Sequence, residues 1–475
     1  MKRIMSFAML LSTLAVVSCK KNISSLNDNP KFPVAVPSAP LFTNAEANLS
    51  DQMASTNVNT NNFRLFVQWW SETTYTDEAN YDLNSRSIPD IWFRTLYRDI
   101  IKDLTEASKI VPTETVNLSA AEMKNRVAIN DLLIAYSYYT LLTTFGNIPY
   151  SEALKVDDIL QPKYDDAATV FKALAAKVDN ALSQMDPSAG NYGSADIILN
   201  GDTDAWISFG NCLKMRMGML VADSDPAMAS TMVLAASPKV ISSNDGNLAI
   251  HYVSSPPNTN PVWEDIIQSG RHDFVGANTI IDKMKALADP RLPAFFQPIG
   301  GVFIGQPYGT GGGSFSDPAE QISNPTNPHV FFSYSEMEFL KAEAVERGIA
   351  VGGTAASHYN NAVAASITEW GGSDADAATY LAQPKVAYAT AATKWQEKIG
   401  TQAWLALYNR GYDAWTEWRR LDYPVLKPGP EALSDVPVRM TYPVLEQNLN
   451  KKNYDAASAA IGGDTVEKKL WFDKY

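Results

Sequence analysis

Three kinds of side chain in this 475-residue sequence could do chemistry: four histidines, many paired carboxylates, and the aromatic-rich stretch from Gln68 to Tyr81. His251, His272, His329 and His358 stand at no metal spacing, and neither His-Glu-x-x-His nor Cys-x-x-Cys occurs, so no metal is expected. His358, beside Tyr359 on a helical pattern, reads as a satisfied surface or half-buried histidine. There is no Gly-Lys dipeptide for a phosphate loop and no Gly-x-Ser-x-Gly elbow. The run Gly309-Thr310-Gly311-Gly312-Gly313-Ser314 lacks a strand-to-helix context and reads as a mobile loop. No cofactor is expected. Asp77-Glu78, Asp157-Asp158 and Asp165-Asp166 offer the two acids that glycosidic hydrolysis needs. Such pairs arise by chance among 52 acidic residues. Asp165-Asp166 also suits the positive end of a helix dipole.

The aromatic stretch is the stronger signal. Rings flanked by hydrogen-bonding groups suit a sugar or peptide, whose flat apolar face stacks while polar neighbours fix its orientation. Trp69, Trp70, Tyr75 and Tyr81 are therefore the candidate ligand-binding residues. A competing reading makes Trp69 and Trp70 core anchors at a helix end. Tyr75 and Tyr81 lie beyond the helical pattern.

The elements that must position these rings are mostly helical. Ile88, Ile91, Trp92, Leu96, Ile100 and Leu104 form a 3.6-spaced stripe over 87–107. The pattern over 123–145 is apolar nearly all round, so a deeply buried helix is expected, ended by Gly146-Asn147-Ile148-Pro149. Further helices are expected over 165–185, 204–223, 333–347, 355–370, 391–408 and 411–420. Residues 235–330 are rich in Ser, Asn, Gly and Pro. Loops and a few short strands, near 248–250 and 302–304, are expected there. From Leu421 onward a loop with a few short elements is expected. Ala355-x3-Tyr359-x2-Ala362 and, more loosely, Ala167-x3-Phe171-x2-Leu174 have the small-and-aromatic spacing of a tetratricopeptide-like second helix. The fold class expected is mostly α: tetratricopeptide-like helix pairs with a loop-rich part.

Met1-Lys2-Arg3, an apolar run from Ile4 to Val17 and then Ser18-Cys19 read as a lipoprotein signal. The run is too short to span a bilayer. Cleavage would leave Cys19 first in the chain and lipidated. The proline-bearing stretch to residue 40 would then be a tether, and residues 41–475 a single domain with scaffold helices over about 85–225 and 333–420. The net charge of −13 becomes −15 once Lys2 and Arg3 leave, so no basic footprint for nucleic acid exists. With Cys19 lipidated, Cys212 has no disulfide partner and is expected as a small buried hydrophobe. Stability must come from packing, for which 11 Trp, 21 Tyr and 18 Phe supply the material.

Several ordered stretches resemble the SusD/RagB superfamily of Bacteroidetes outer-membrane lipoproteins. The match is to its SusD-like branch, described as starch-binding and outer-membrane associated. They are Leu26-Asn27-Asp28-Asn29-Pro30, the segment Gln68 to Tyr81, and Phe145-Gly146-Asn147-Ile148-Pro149-Tyr150-Ser151-Glu152-Ala153. Ser333 to Ala344 with Arg347-Gly348 resembles the central helix signature. Gly411-Tyr412-Asp413-Ala414-Trp415-Thr416-Glu417-Trp418-Arg419-Arg420 is similar to the family's hallmark. Arg439-Met440-Thr441-Tyr442-Pro443, Gly462-Gly463-Asp464 and Trp471-Phe472-Asp473 continue it.

The resemblance implies four tetratricopeptide-like helix pairs and a loop-rich remainder. It implies a non-catalytic lipoprotein, anchored through Cys19 in the outer membrane at the cell surface. Such a protein sits as a lid on a SusC-like TonB-dependent β-barrel transporter and captures an oligosaccharide or a peptide. It implies structural roles for Trp415, Trp418, Arg419 and Arg420. Lys20-Lys21-Asn22 depart from the acidic residues that often follow the cysteine of surface-exported lipoproteins. An α-helical glycoside hydrolase and a helix-repeat adaptor of the envelope are the rival readings.

Overall fold

Capping chemistry sets the helix boundaries. In the computed structural model, which describes residues 36–475 except 117 and 156, Ser119 and Glu122 form a capping box that starts a helix over Ala120–Phe145. Gly146, at φ 87°, ends that helix. Asp166, Asp202, Asp225 and Ser333 each accept a backbone N–H at a helix start. Asp165, the other half of its pair, accepts from Tyr150 N and Ser151 N instead. The expected signal, Cys19, most of the tether and the stretch Leu26 to Pro30 lie outside the described residues.

In chain order the main helices are α1 (Ser38–Ala54), α2 (the end-to-end segments Ile88–Arg94, Thr95–Ile101 and Lys102–Ile110), α3 (Ala120–Phe145), α4 (Ala167–Gln184), α5 (Thr203–Leu220) and α6 (Pro226–Ala236). After these come α7 (Asn278–Ala286), α8 (Tyr334–Glu346), α9 (Ala355–Glu369), α10 (Asp374–Leu381), α11 (Trp395–Ala406), α12 (Gly411–Leu421), α13 (Val444–Leu449) and α14 (Lys451–Ala460). The helical class is thus as expected. Helices α1, α6, α7, α10, α13 and α14 add to the expected set. Because α1 begins at Ser38, its first residues take the end of the stretch read as tether.

Consecutive helices pack as pairs: α1 on α2, α3 on α4, α5 on α6, α8 on α9 and α11 on α12. The spacing motifs explain two of these contacts. Ala355, Tyr359 and Ala362 are buried on α9, and Ala167, Phe171 and Leu174 on α4. The small residues admit the neighbouring helix and the ring fills the gap, each buried ring contributing about 2–3 kcal/mol. The middle of α2 is π-helical.

The strands are short and antiparallel. β1 (Trp70–Glu72) pairs with β3 (Phe274–Gly276), placing Trp70 opposite Gly276 and Glu72 opposite Phe274. β2 (Leu248–Ile250) pairs with β4 (His329–Phe332). The strand expected near 302–304 reduces to one bridge between Ile299 and Val302. From Ser38 to Tyr475 the chain packs as one unit, and no helix among the described residues is long and apolar enough to cross a membrane.

The interior carries many paired charges. On α12, the Arg419 guanidinium lies 3.4 Å from the Trp415 ring centroid and donates to Thr143 O and Val438 O. Arg420 makes a two-pronged pair with Glu343 on α8, both contacts 2.6 Å. Arg216 on α5, Glu336 on α8, and Arg410 and Asp413 at the start of α12 form a closed network with contacts of 2.5–3.1 Å. Trp415, Arg419 and Arg420 are all but fully buried and Trp418 nearly so, so they hold helices together and do not face solvent. Cys212 is buried on α5, and burial pushes its thiol up to about 12.

Candidate functional site

The stretch from Gln68 to Tyr81 turns from core to surface within a few residues. Trp69 and Trp70 have no exposed surface and Tyr81 has 4%, whereas Tyr75 is 70% exposed. The core explains the first three. Trp69 packs against Trp404 and Tyr408, with ring centroids 6.3 and 5.4 Å away. Trp70 lies in β1, donates from Nε1 to Tyr408 OH at 2.9 Å, and carries the Arg64 guanidinium 5.3 Å from its ring centroid. Tyr81 accepts from Gln68 Nε2 and packs against Tyr308. The expectation of four ligand-facing rings therefore becomes one displayed ring, Tyr75, with the other three buried in the core. The polar neighbours that suggested exposure, Gln68, Ser71 and Glu72, are buried with them.

Tyr75 is held up by a constrained loop. Its φ is 55°, a left-handed conformation that costs a non-glycine residue roughly 1–2 kcal/mol. Gln68, Tyr81 and Ser87 also have positive φ. Hydrogen bonds from three other segments fix the loop. Thr73 N donates to Asp273 O at 2.8 Å, and Gly312 N donates to Thr73 O at 2.7 Å. The buried Gln306 side chain donates to Glu72 O and Thr310 O. Asn80 Nδ2 donates to Thr76 O and Gly309 O, and Leu433 N donates to Asn80 O. The glycine run read as mobile is thus pinned at Gly309 and Gly312. A Cβ on Gly309, at φ 76°, would stand 2.7 Å from Asn80 Oδ1 and 3.2 Å from the Gly429 Cα, so no other residue fits that crossing.

Three segments, 73–80, 306–316 and 424–433, therefore share one face. Within these segments Tyr75, Val425 and Leu433 are exposed. Sequence reading missed the contribution of Gln306, Val425 and Leu433, and no local pattern marks them.

Two carboxyls flank Tyr75 in sequence. Glu72 and Glu78 bracket the loop and are both fully buried. Glu72 accepts from Ala79 N at 3.1 Å, and Arg86 Nε stands 2.5 Å from Glu78 Oε1. Burial, and then the Glu78 charge, raise the Glu72 carboxyl to about 9. Asp77, the sequence neighbour of Glu78, is exposed, so this pair points to opposite sides. Asp157 and Asp158 are exposed. Among the described residues no group of three or more His, Cys, Asp or Glu side chains could hold a metal ion. His358 is satisfied on both ring nitrogens, by Glu338 Oε2 at 2.8 Å and Gly352 O at 2.9 Å.

The face resembles a platform for a flat ligand, and the relatives share its scaffold. A model of the SusD-like family described as "Starch-binding associating with outer membrane" matches residues 30–443. Among solved structures, a chitin-binding protein is similar with 26% identity and a TM-score of 0.80, over 92% of this chain and all of that one. A chitin-binding SusD homologue from Flavobacterium johnsoniae is 20% identical, with a TM-score of 0.77 over 92% of this chain and 99% of its own. A SusD homologue from Bacteroides thetaiotaomicron is 22% identical, with a TM-score of 0.76 over 93% of this chain and all of its own. No curated protein matches the sequence.

Proposed function

This chain belongs to the SusD-like branch of the SusD/RagB superfamily, a family described as starch-binding and associated with the outer membrane, and on that footing we propose that it captures an oligosaccharide without chemically altering it. The observation that carries this reading is Tyr75, a ring held out of the surface by a strained and multiply hydrogen-bonded loop. A sugar presents a flat apolar face of C–H groups, which stacks on such a ring while its hydroxyls reach polar neighbours. Thr74 and Thr76 flank the ring and Asp77 follows within the same loop. Trp69, Trp70 and Tyr81 are buried in the core and contact no ligand themselves. The two chitin-binding relatives make N-acetylglucosamine oligomers the first ligands to test.

Capture serves transport. The ligand passes to a SusC-like TonB-dependent β-barrel, and Cys19 carries the lipid that keeps the protein at the outer membrane beside its channel. Closure against the barrel adds contacts to the ligand that exist only in the closed state. The Glu72 and Glu78 side chains are buried, which favours binding over hydrolysis at that pair.

Calorimetric titration of the mature protein with neutral N-acetylglucosamine, glucan and peptide oligomers, with affinity purification from envelopes, tests the proposal. Saturable binding of at least one neutral oligosaccharide, with a co-purifying β-barrel, is expected. No binding by any oligosaccharide, or release of reducing sugar from one, would overturn it.

A further inference from the structure

Beyond the Tyr75 face lies a trough of different character. One cavity of about 300 Å³ opens beside Val425 and Pro424 and is walled by Trp404, Thr279 and Lys283. A second, of about 290 Å³, continues past Lys385 and Lys398. The two share Lys283, Glu397 and Thr401, so they form one trough along α7 and α11. It is joined to the ligand face at both the side-chain and the chain level. Thr279 Oγ1 donates to Gln68 Oε1, Gln68 Nε2 donates to Lys427 O, and the segment from Val425 runs on to Leu433 beside Asn80.

The charge along this trough opposes that of the molecule. The whole chain carries −13, yet the charged lining is Lys283, Lys385 and Lys398 against the single acid Glu397. None of the three lysines forms an ion pair among the described residues. Lys398 is held instead with its ammonium 4.8 Å from the Tyr388 ring centroid, and Lys385 donates to Ala286 O. Together the cavities have the size of a site for a drug-sized ligand. Unpaired ammonium groups along a polar cleft attract anions and set which chain is preferred.

We infer that this trough is an extended subsite for a glycan bearing anionic substituents, sulfate esters or carboxylates, along the part of the chain that runs past Val425. The inference rests on the capture reading and names the substrate class of that site. Neutral units stack at Tyr75, and the charged units lie between Lys283, Lys385 and Lys398. Glu397 sits at the junction of the two cavities and limits how much negative charge is accepted there.

The test compares three short oligomers of equal length by calorimetry: neutral N-acetylglucosamine, its O-sulfated form and its form oxidised to carboxylates. Each exposed ammonium–anion pair shifts affinity by up to roughly fivefold, so the net two positive charges give a preference of up to roughly twenty-five-fold at low salt. The preference should vanish in about 0.5 M salt, where screening is short-ranged, and in the Lys283→Met/Lys398→Met variant, which keeps its affinity for the neutral oligomer. Glu397→Gln should widen it. A gain for only one of the two anionic oligomers identifies sulfate or carboxylate as the source. Equal affinity of the wild type for neutral and anionic oligomers, or a preference that survives the double substitution, overturns the inference. Failure of the capture reading looks different: the neutral oligomer does not bind, or Tyr75→Ala binds it as well as the wild type.

Discussion

Glu72→Gln should make the protein more resistant to alkaline conditions. In the fold Glu72 is buried and its carboxyl is raised to about 9 from an ordinary 4.5, so the native state keeps a proton that the unfolded chain has released. Between those two values the native state binds more protons than the unfolded one, and stability falls as pH rises. One proton corresponds to about 1.4 kcal/mol per pH unit. Raising the pH from about 6 to about 8 therefore costs the wild type about 3 kcal/mol through this group. Glutamine has no proton to lose and can still accept from Ala79 N, so the variant is free of that cost. Urea unfolding of both proteins at the two pH values reads the difference of differences, in which every other titrating group cancels. The variant should gain about 3 kcal/mol on the wild type between the two conditions. Parallel behaviour would refute the reasoning, because Glu72 would then be ionised in the fold and held by the nearby Arg271, the cation that acts to lower its carboxyl. At neutral pH the variant should bind ligand as the wild type does, since Tyr75 and its clamps are untouched.

Tyr75→Ala should weaken oligosaccharide binding by roughly ten- to thirtyfold, since covering one face of this exposed ring removes about 60–80 Å² from water at about 25 cal/mol per Å². Its unfolding midpoint should stay at the wild-type value; calorimetry and urea unfolding check the two halves. Arg410→Met should cost about 3–5 kcal/mol in urea unfolding by leaving Glu336 and Asp413 with one buried cation in place of two; a loss under 1 kcal/mol would mean that the network contributes no more than a surface pair. Cys19→Ala should move the protein from the membrane pellet to the soluble fraction, and continued sedimentation with membranes would refute the anchor.

Much of the scaffold is legible in the sequence because its signals are local. The acidic pair at Asp165-Asp166, the turn at Gly146, and the Ala-Tyr-Ala and Ala-Phe-Leu spacings act within one or two turns of helix. The mostly helical class follows from them. Short helices such as α7 and α10 span only two turns or so, and their existence depends on the surfaces they cover. The site is harder to read, because its decisive contacts are distant. Gln306 reaches the backbone of Glu72 across 234 residues of chain. Trp69 and Trp70 have the polar neighbours of exposed rings, but those neighbours, Gln68, Ser71 and Glu72, are buried and bonded to Thr279, Gly309 and Gln306. Tyr75 itself has a left-handed backbone, whereas Trp70 lies in β1. That turn depends on clamps from residues near 273, 312 and 433, which no window around Tyr75 contains.

The left-handed backbone at Tyr75 has a kinetic consequence. Its conformational cost is met during folding, so a passing ligand meets a ring already in place and waits for no loop to order. Binding then approaches rigid-body docking, with association limited by encounter and orientation. Because a single displayed ring contributes only modest affinity, dissociation stays rapid. Quick exchange is what the proposed capture and hand-over of a glycan would need of such a surface.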